Sequence, residues 1–259
     1  MRDKKRLYQA VLTALLSSII LILALVPNLG YILIPPGVAV TIVHIPVLIG
    51  IFLVDRKNSL VLGFVFGASS LLTALIRGVS PLDLAFINPL ISILPRIMFA
   101  YLATFIIDLF KRINNIKNGN IYMFILVSLI TGFGLYFGLN SFLNANASEG
   151  VINVFKYITP VIILLFLAFY AYFIFKKYSK NSYIPAVVII STFIHTILVI
   201  GAIVLFKPTA FYESFGTNDS VIKIILMIAV ANGLLEAIIG AVIASPIAVA
   251  VLVKKEGEE

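Results

Sequence analysis

Uninterrupted apolar runs long enough to cross a bilayer recur along this chain, and no other feature limits its fold as strongly. About 20 helical residues cover the roughly 30 Å of hydrocarbon in a membrane. Runs of that order occupy 7–26, 91–110, 121–139, 157–175, 184–206 and 222–252. Two shorter runs, 38–54 and 60–76, flank the polar turn Asp55-Arg56-Lys57-Asn58, which stops one helix and starts the next. Backbone groups in lipid have no water to bond, so spanning segments satisfy them internally as helices or in a closed barrel. The pattern predicts an all-α polytopic bundle of about eight spans forming a single transmembrane domain over 1–259. The basic start and the run to Val26 have the outline of a signal sequence. That run is too long for the apolar region of one and lacks an A-x-A cleavage site, so we expect a retained first helix.

Only 12% of residues are charged, against about a quarter in soluble domains. Cysteine is absent, which excludes disulfides and thiolate metal sites. The formal net charge of +8 would suit an anionic partner such as nucleic acid if the basic residues clustered on one surface. Threaded through alternating spans, they sort by side instead. All of the 19 except Arg77, Arg96, Lys156, Lys207 and Lys223 fall on one side. Lys/Arg-rich loops stay cytoplasmic, so both termini are expected inside, and 27–37, 77–90, 140–156 and 207–221 outside. The charge therefore reports topology. Two of the outward loops, 27–37 and 77–90, mix proline and glycine with apolar residues. We expect them to be lids or plugs over an outward-facing cavity, with a proline-stiffened turn as the alternative.

Ionisable groups inside spans are costly unless paired or facing water, which makes each a pointer to an interior site. His44, Arg96, His195 and Glu236 qualify. At a rise of about 1.5 Å per residue, Arg96 and His44 lie within roughly 10 Å of the outer surface, Asn232 near ~15 Å and Glu236 near ~20 Å. Arg96 is permanently charged and suited to clasp a carboxylate, or else pairs with Glu236 or Asp83 or snorkels to headgroups. Asn232 and Glu236 share a helix face at i,i+4 and serve either a ligand or interhelical adhesion. His44 precedes Pro46, whose missing N–H frees a carbonyl that the imidazole can bond in place of a ligand. The structural reading is stronger for His195. Asn88, in the outward loop 77–90, completes the candidate ligand set of Arg96, Asn232, Glu236, His44 and Asn88. Neither a metal site nor a cofactor is expected, because two distant histidines without thiolates make a poor ligand set.

Small residues at four-residue spacing let helices approach closely in lipid. Such seams occur at Ala10-x-x-x-Ala14-x-x-x-Ser18, Gly63-x-x-x-Gly67 and Ala237-x-x-x-Ala241-x-x-x-Ser245. Each suits packing within the bundle as well as docking of another subunit.

Five stretches carry a family likeness: T-I-V-H-I-P-V-L-I-G (41–50), L-G-F-V-F-G (62–67), L-P-R-I (94–97), I-S-T-F-I-H-T-I-L-V-I-G (190–201) and N-G-L-L-E-A-I-I-G-A-V-I-A-S-P-I (232–247). Over 1–112 and 183–255 the chain resembles the substrate-binding S components of energy-coupling-factor (ECF) importers, most closely the pantothenate-transporter-like group. The resemblance implies a six-helix bundle that takes a small water-soluble vitamin from outside. It also implies partnership with a coupling transmembrane subunit and two ATPases, in a bacterial cell membrane. The family's A-x-x-x-A docking motif falls on Ala10 and Ala14, and its ligand pocket falls by position on Arg96, Asn232 and Glu236. Segment 113–182 departs from the family pattern and is expected as an inserted hairpin.

Two other functions compete. A proton-coupled secondary transporter could use Glu236 and Arg96 as a relay, but no convincing repeat relates the halves. An intramembrane serine hydrolase could use Ser69 with His195, although Ser69 lacks the glycine that follows the serine of a nucleophile elbow. No G-x-x-x-x-G-K-[ST] loop occurs, so any ATP hydrolysis belongs to another chain. The expected function is substrate binding without chemistry.

Overall fold

The computed structural model describes residues 2–34, 38–177, 181–215 and 220–258. Residues 35–37 of the loop 27–37, Lys180, and 216–219 of the loop 207–221 lie outside the described residues. The chain divides into two compact units. One comprises Met1–Ile32, Thr41–Thr104 and Ile194–Ile225, and the other Leu33–Val40, Phe105–Phe193 and Leu226–Glu259. Seven helices, counted among the described residues, are long and apolar enough to cross a membrane. The fold is thus an all-α polytopic bundle, and six of the seven follow the long apolar runs.

The expected span at 38–54 takes a different form. Strands β1 (Tyr31–Ile34) and β2 (Val38–Thr41) pair as a two-stranded sheet, and helix α2 (Ile45–Leu53) follows. Nine residues at about 1.5 Å each reach only ~13 Å, under half the hydrocarbon thickness. The reason is local chemistry. Val38 to Thr41 is rich in β-branched residues, and Pro46 is tolerated only in the first turn of a helix, so α2 cannot start earlier. Extended backbone at membrane depth survives where protein encloses it, and Val40, Val43 and His44 are all fully buried. Helix α2 is apolar on every face, as an interior helix must be, and all its residues except Phe52 are buried.

In the first unit, α1 (Arg2–Leu25) packs on α2 and on α3 (Arg56–Arg77). It does so through a stripe of buried residues, Gln9, Thr13, Leu16, Ile20 and Ala24, spaced by three and four as one helix face requires. Polar bonds pin both ends of the α1–α3 pair. Gln9 Nε2 donates to the Leu53 carbonyl (3.3 Å) and its Oε1 accepts from Asp55 N–H (2.8 Å). At the other end, Thr73 Oγ1 donates to the Ala24 carbonyl (3.2 Å), and Arg77 Nη2 donates to the Leu25 carbonyl. The turn at 55–58 is a helix cap, with Asp55 Oδ1 accepting from Asn58 N–H (2.9 Å).

The loop 77–90, expected outside, is built from short helices. Helix α4 (Pro81–Ala85) opens on a capping box between Ser80 and Asp83, and Asn88 caps α5 (Pro89–Ser92). Helix α6 (Leu94–Asn114) begins with Pro95 in its first turn, where the missing N–H costs nothing. Helix α11 (Pro208–Phe215) packs against α4.

In the second unit, α7 (Gly119–Phe133) runs through a π-helical turn, Gly134–Leu139, into α8 (Asn140–Asn146). Helix α9 (Glu149–Tyr172) packs beside α7, with the Phe124 and Tyr170 rings 5.5 Å apart. The two ends of segment 113–182 meet: Ser182 Oγ donates to Asn114 Oδ1 at 2.6 Å. Helix α10 (Tyr183–Phe206) contributes to both units. After α12 (Val221–Ile228), a second π turn, Ala229–Gly233, leads into α13 (Leu234–Glu258). The two π turns pack on one another. Gly134 and Gly138 make room for Leu234 and Val230, since a Cβ on Gly138 would lie 2.7 Å from that of Val230.

Candidate functional site

The first unit gathers three of the four ionisable residues singled out from the spans. His44 ends the irregular link between β2 and α2, Arg96 sits in the first turn of α6, and His195 lies midway along α10. All three are buried. The His44 and His195 rings stack, with centroids 6.0 Å apart and planes 10° from parallel. Phe66 of α3 and Phe99 of α6 flank His195 at 5.4 Å and 4.9 Å.

The Arg96 guanidinium lies over the Phe86 ring at 4.9 Å and the Phe66 ring at 5.5 Å. Its Nη1 donates to the Ile91 carbonyl at 2.6 Å. A cation that is desolvated among aromatic faces gains up to about 2 kcal/mol from them. A charge-assisted bond to a carbonyl adds about 1.5–3 kcal/mol. The turn between α4 and α6 thus supplies both the ring and the oxygen that let this charge be buried. Pairing of Arg96 with Asp83, considered from the sequence, does not occur. The Asp83 carboxylate instead accepts from Ser80 N–H (3.1 Å) and Val79 N–H (3.4 Å) in the capping box.

Close approach of α3 to α6 makes this arrangement possible. A Cβ on Gly63 would lie 2.7 Å from the Arg96 carbonyl oxygen and 2.8 Å from Ala100 Cβ, and one on Gly67 would lie 2.5 Å from Ile93 Cα. The Gly63-x-x-x-Gly67 seam therefore serves packing within the bundle, directly beneath Arg96. Asn88 is half-buried, and its Oδ1 accepts from Leu90 N–H (3.0 Å) as the cap of α5.

The other candidates belong to the second unit. Asn232 lies in the π turn Ala229–Gly233, half-buried, with an Oδ1 that is enclosed and meets no hydrogen-bond donor. Glu236 follows in the first turn of α13 and is buried. The seam Ala237, Ala241, Ser245 is buried along its whole length. In the first unit, by contrast, Ala10, Ala14 and Ser18 are exposed, on a face of α1 other than the one packed on α2 and α3.

The serine–histidine pairing that a hydrolase needs is not formed. Ser69 Oγ donates to the Phe66 carbonyl (2.8 Å) within its own helix, and neither ring nitrogen of His195 meets a hydrogen-bond partner. Sequence reasoning missed the aromatic residues of the site. Phe66, Phe86 and Phe99 read as ordinary core or lipid-facing positions, and only the cation near Phe66 and Phe86 and the His195 ring near Phe66 and Phe99 set them apart. It also rated His195 below His44, because 150 intervening residues hide their contact.

No curated protein matches the chain. A family model described as "ECF transporter, substrate-specific component" matches residues 8–148, more than half of the 259. The match takes in Ala10, Ala14, His44, Asn88 and Arg96, continues through α7 and α8, and stops short of His195, Asn232 and Glu236. Seven apolar helices and this match together make the chain a multi-pass membrane protein and a transporter subunit. The chain belongs to the family of substrate-specific components of ECF transporters.

Proposed function

We propose that this chain binds a small water-soluble vitamin or vitamin precursor on the outer side of a bacterial cell membrane. A coupling transmembrane subunit and two ATPase subunits then drive its uptake. The chain performs no chemistry itself, and both of its termini are cytoplasmic. The observation that carries the reading is Arg96, a permanent charge buried among aromatic rings, with two buried histidines alongside. Such a constellation is costly for a bundle whose only task is to stay folded, and it suits recognition of an anionic metabolite. Pantothenate, whose carboxylate suits Arg96, is the substrate we favour. Arg96 and His44 of the first unit are the residues we assign to the ligand. The exposed Ala10 and Ala14 are the surface we assign to the coupling subunit, because side chains that small let another helix approach closely. Segment 113–182 is read as a hairpin added to a six-helix core, a reading supported by the Ser182–Asn114 bond that closes its base.

Reconstitution tests this. In proteoliposomes containing this chain, a coupling subunit and two ATPases, uptake of radiolabelled pantothenate is expected to require ATP and to continue after the proton gradient is collapsed. Uptake that persists without the ATPases and stops with the gradient would overturn the proposal.

A further inference from the structure

Buried polar atoms without partners are uncommon in native proteins, and each calls for a physical reason. In the first unit such atoms converge. Both ring nitrogens of His44 and both of His195 are enclosed and meet no hydrogen-bond partner, and the two rings stack on each other. The Thr41 backbone faces His44, but not at hydrogen-bonding geometry. Leaving one such group dry costs on the order of 1–3 kcal/mol. Two phenyl rings at these positions would therefore hold the bundle together better than two imidazoles.

The chemistry of the pair indicates what it awaits. A neutral imidazole carries one N–H donor and one lone-pair acceptor, so two parallel rings offer both kinds of group in duplicate. A carboxylate only accepts, and a hydrocarbon does neither. The complement is a neutral group that both donates and accepts: an amide, a ureido group or a hydroxyl. Arg96 is close by, since the Phe66 ring is 5.4 Å from the His195 ring and 5.5 Å from the guanidinium. The two chemistries are thus separate but adjacent, as they would be on one small molecule.

Resting on the reading of this chain as a substrate-binding subunit, we propose that His44 and His195 are its specificity-determining pair. They select a substrate that carries a neutral donor–acceptor group beside the anionic group held by Arg96. His195 becomes a ligand-contacting residue, and hydrocarbon acids lacking an amide or hydroxyl are excluded because they leave four ring nitrogens dry.

The test uses the purified full-length chain and a panel of water-soluble vitamins, read by equilibrium dialysis and thermal shift. Pantothenate and biotin represent a carboxylate with an amide or ureido group, lipoate a carboxylate alone, and thiamin a hydroxyl without a carboxylate. Pantothenate or biotin is expected to bind, and lipoate and thiamin are not. H44F and H195F are each expected to weaken that binding at least tenfold, while the thermal midpoint of the ligand-free protein holds or rises. A purely structural pair would move stability and affinity together. If a phenyl variant fails to fold, H195Q and H195L decide: glutamine, which keeps a donor and an acceptor, should bind within a few-fold of wild type, and leucine tenfold more weakly. Equal affinities, or binding of lipoate or thiamin instead, overturn the proposal and leave the substrate-binding reading standing. If nothing in the panel stabilises the wild-type chain, that reading falls and the proposal falls with it.

Discussion

Arg96 shows how a single side chain links burial to function. Its charge was legible as anomalous, because arginine in an apolar span needs either a partner or water. Its environment was not, since Phe86 and the Ile91 carbonyl reach it only after 81–92 has folded into two short capped helices. Arg96→Lys keeps the charge and loses the planar fork that stacks on rings and grips carboxylates. We expect it to fold and to bind pantothenate at least tenfold more weakly, about 1.4 kcal/mol, as measured by equilibrium dialysis. Unchanged affinity would remove Arg96 from the ligand site. Asn88 carries the opposite lesson. Its Oδ1 caps α5, a role its position before Pro89 is sufficient to explain.

At the scale of elements, what matters is how closely α3 approaches the start of α6. Glycine at 63 and 67 allows it, and an added methyl at Gly67 would press on the Ile93 backbone, which cannot yield as a flexible side chain would. Gly67→Ala is therefore expected to cost about 1–3 kcal/mol and to weaken ligand binding without touching the ligand, because Arg96 moves with α6. Thermal midpoint and affinity measured on the same preparation check both effects. Gln9 fixes another junction. It bonds the Leu53 carbonyl and the Asp55 N–H across the α2–α3 turn, so Gln9→Ala leaves those backbone groups without that partner and should lower stability by about 1–3 kcal/mol. Ligand affinity should stay near wild type, which separates a distal clamp from the site. The G-x-x-x-G spacing of the seam was readable, but its partner helix was not. Gly134 and Gly138 show the same spacing and pack against Val230 and Leu234 beside Asn232, a contact that no local pattern announced.

For the molecule as a whole, α1 has two faces with different uses. One is buried against α2 and α3, and the other exposes Ala10, Ala14 and Ser18. Ala10→Phe or Ala14→Phe is expected to abolish co-purification with a coupling subunit while ligand binding persists. Loss of both would instead mean that the bundle had been damaged. Because the chain has no cysteine, single introduced thiols report topology directly. Glu149→Cys, at the exposed start of α9, should react with a membrane-impermeant maleimide in intact cells. Lys57→Cys, in the first turn of α3, should react only after lysis. The reverse pattern would invert the proposed orientation.

What the sequence determined by itself follows from one-dimensional physics. Transfer of about 20 consecutive apolar residues into lipid depends on their sum rather than on their neighbours in space, so the membrane class and seven of the spans were legible without coordinates. The segment 38–54 escaped this logic because hydropathy cannot distinguish a spanning helix from an enclosed strand followed by a short helix. Only the tertiary structure decided which polar side chains meet. His44 and His195 are 151 positions apart in sequence, and their contact depends on how helices distant in the chain pack. That packing also turned two ordinary phenylalanines, Phe66 and Phe86, into the surroundings of a buried charge.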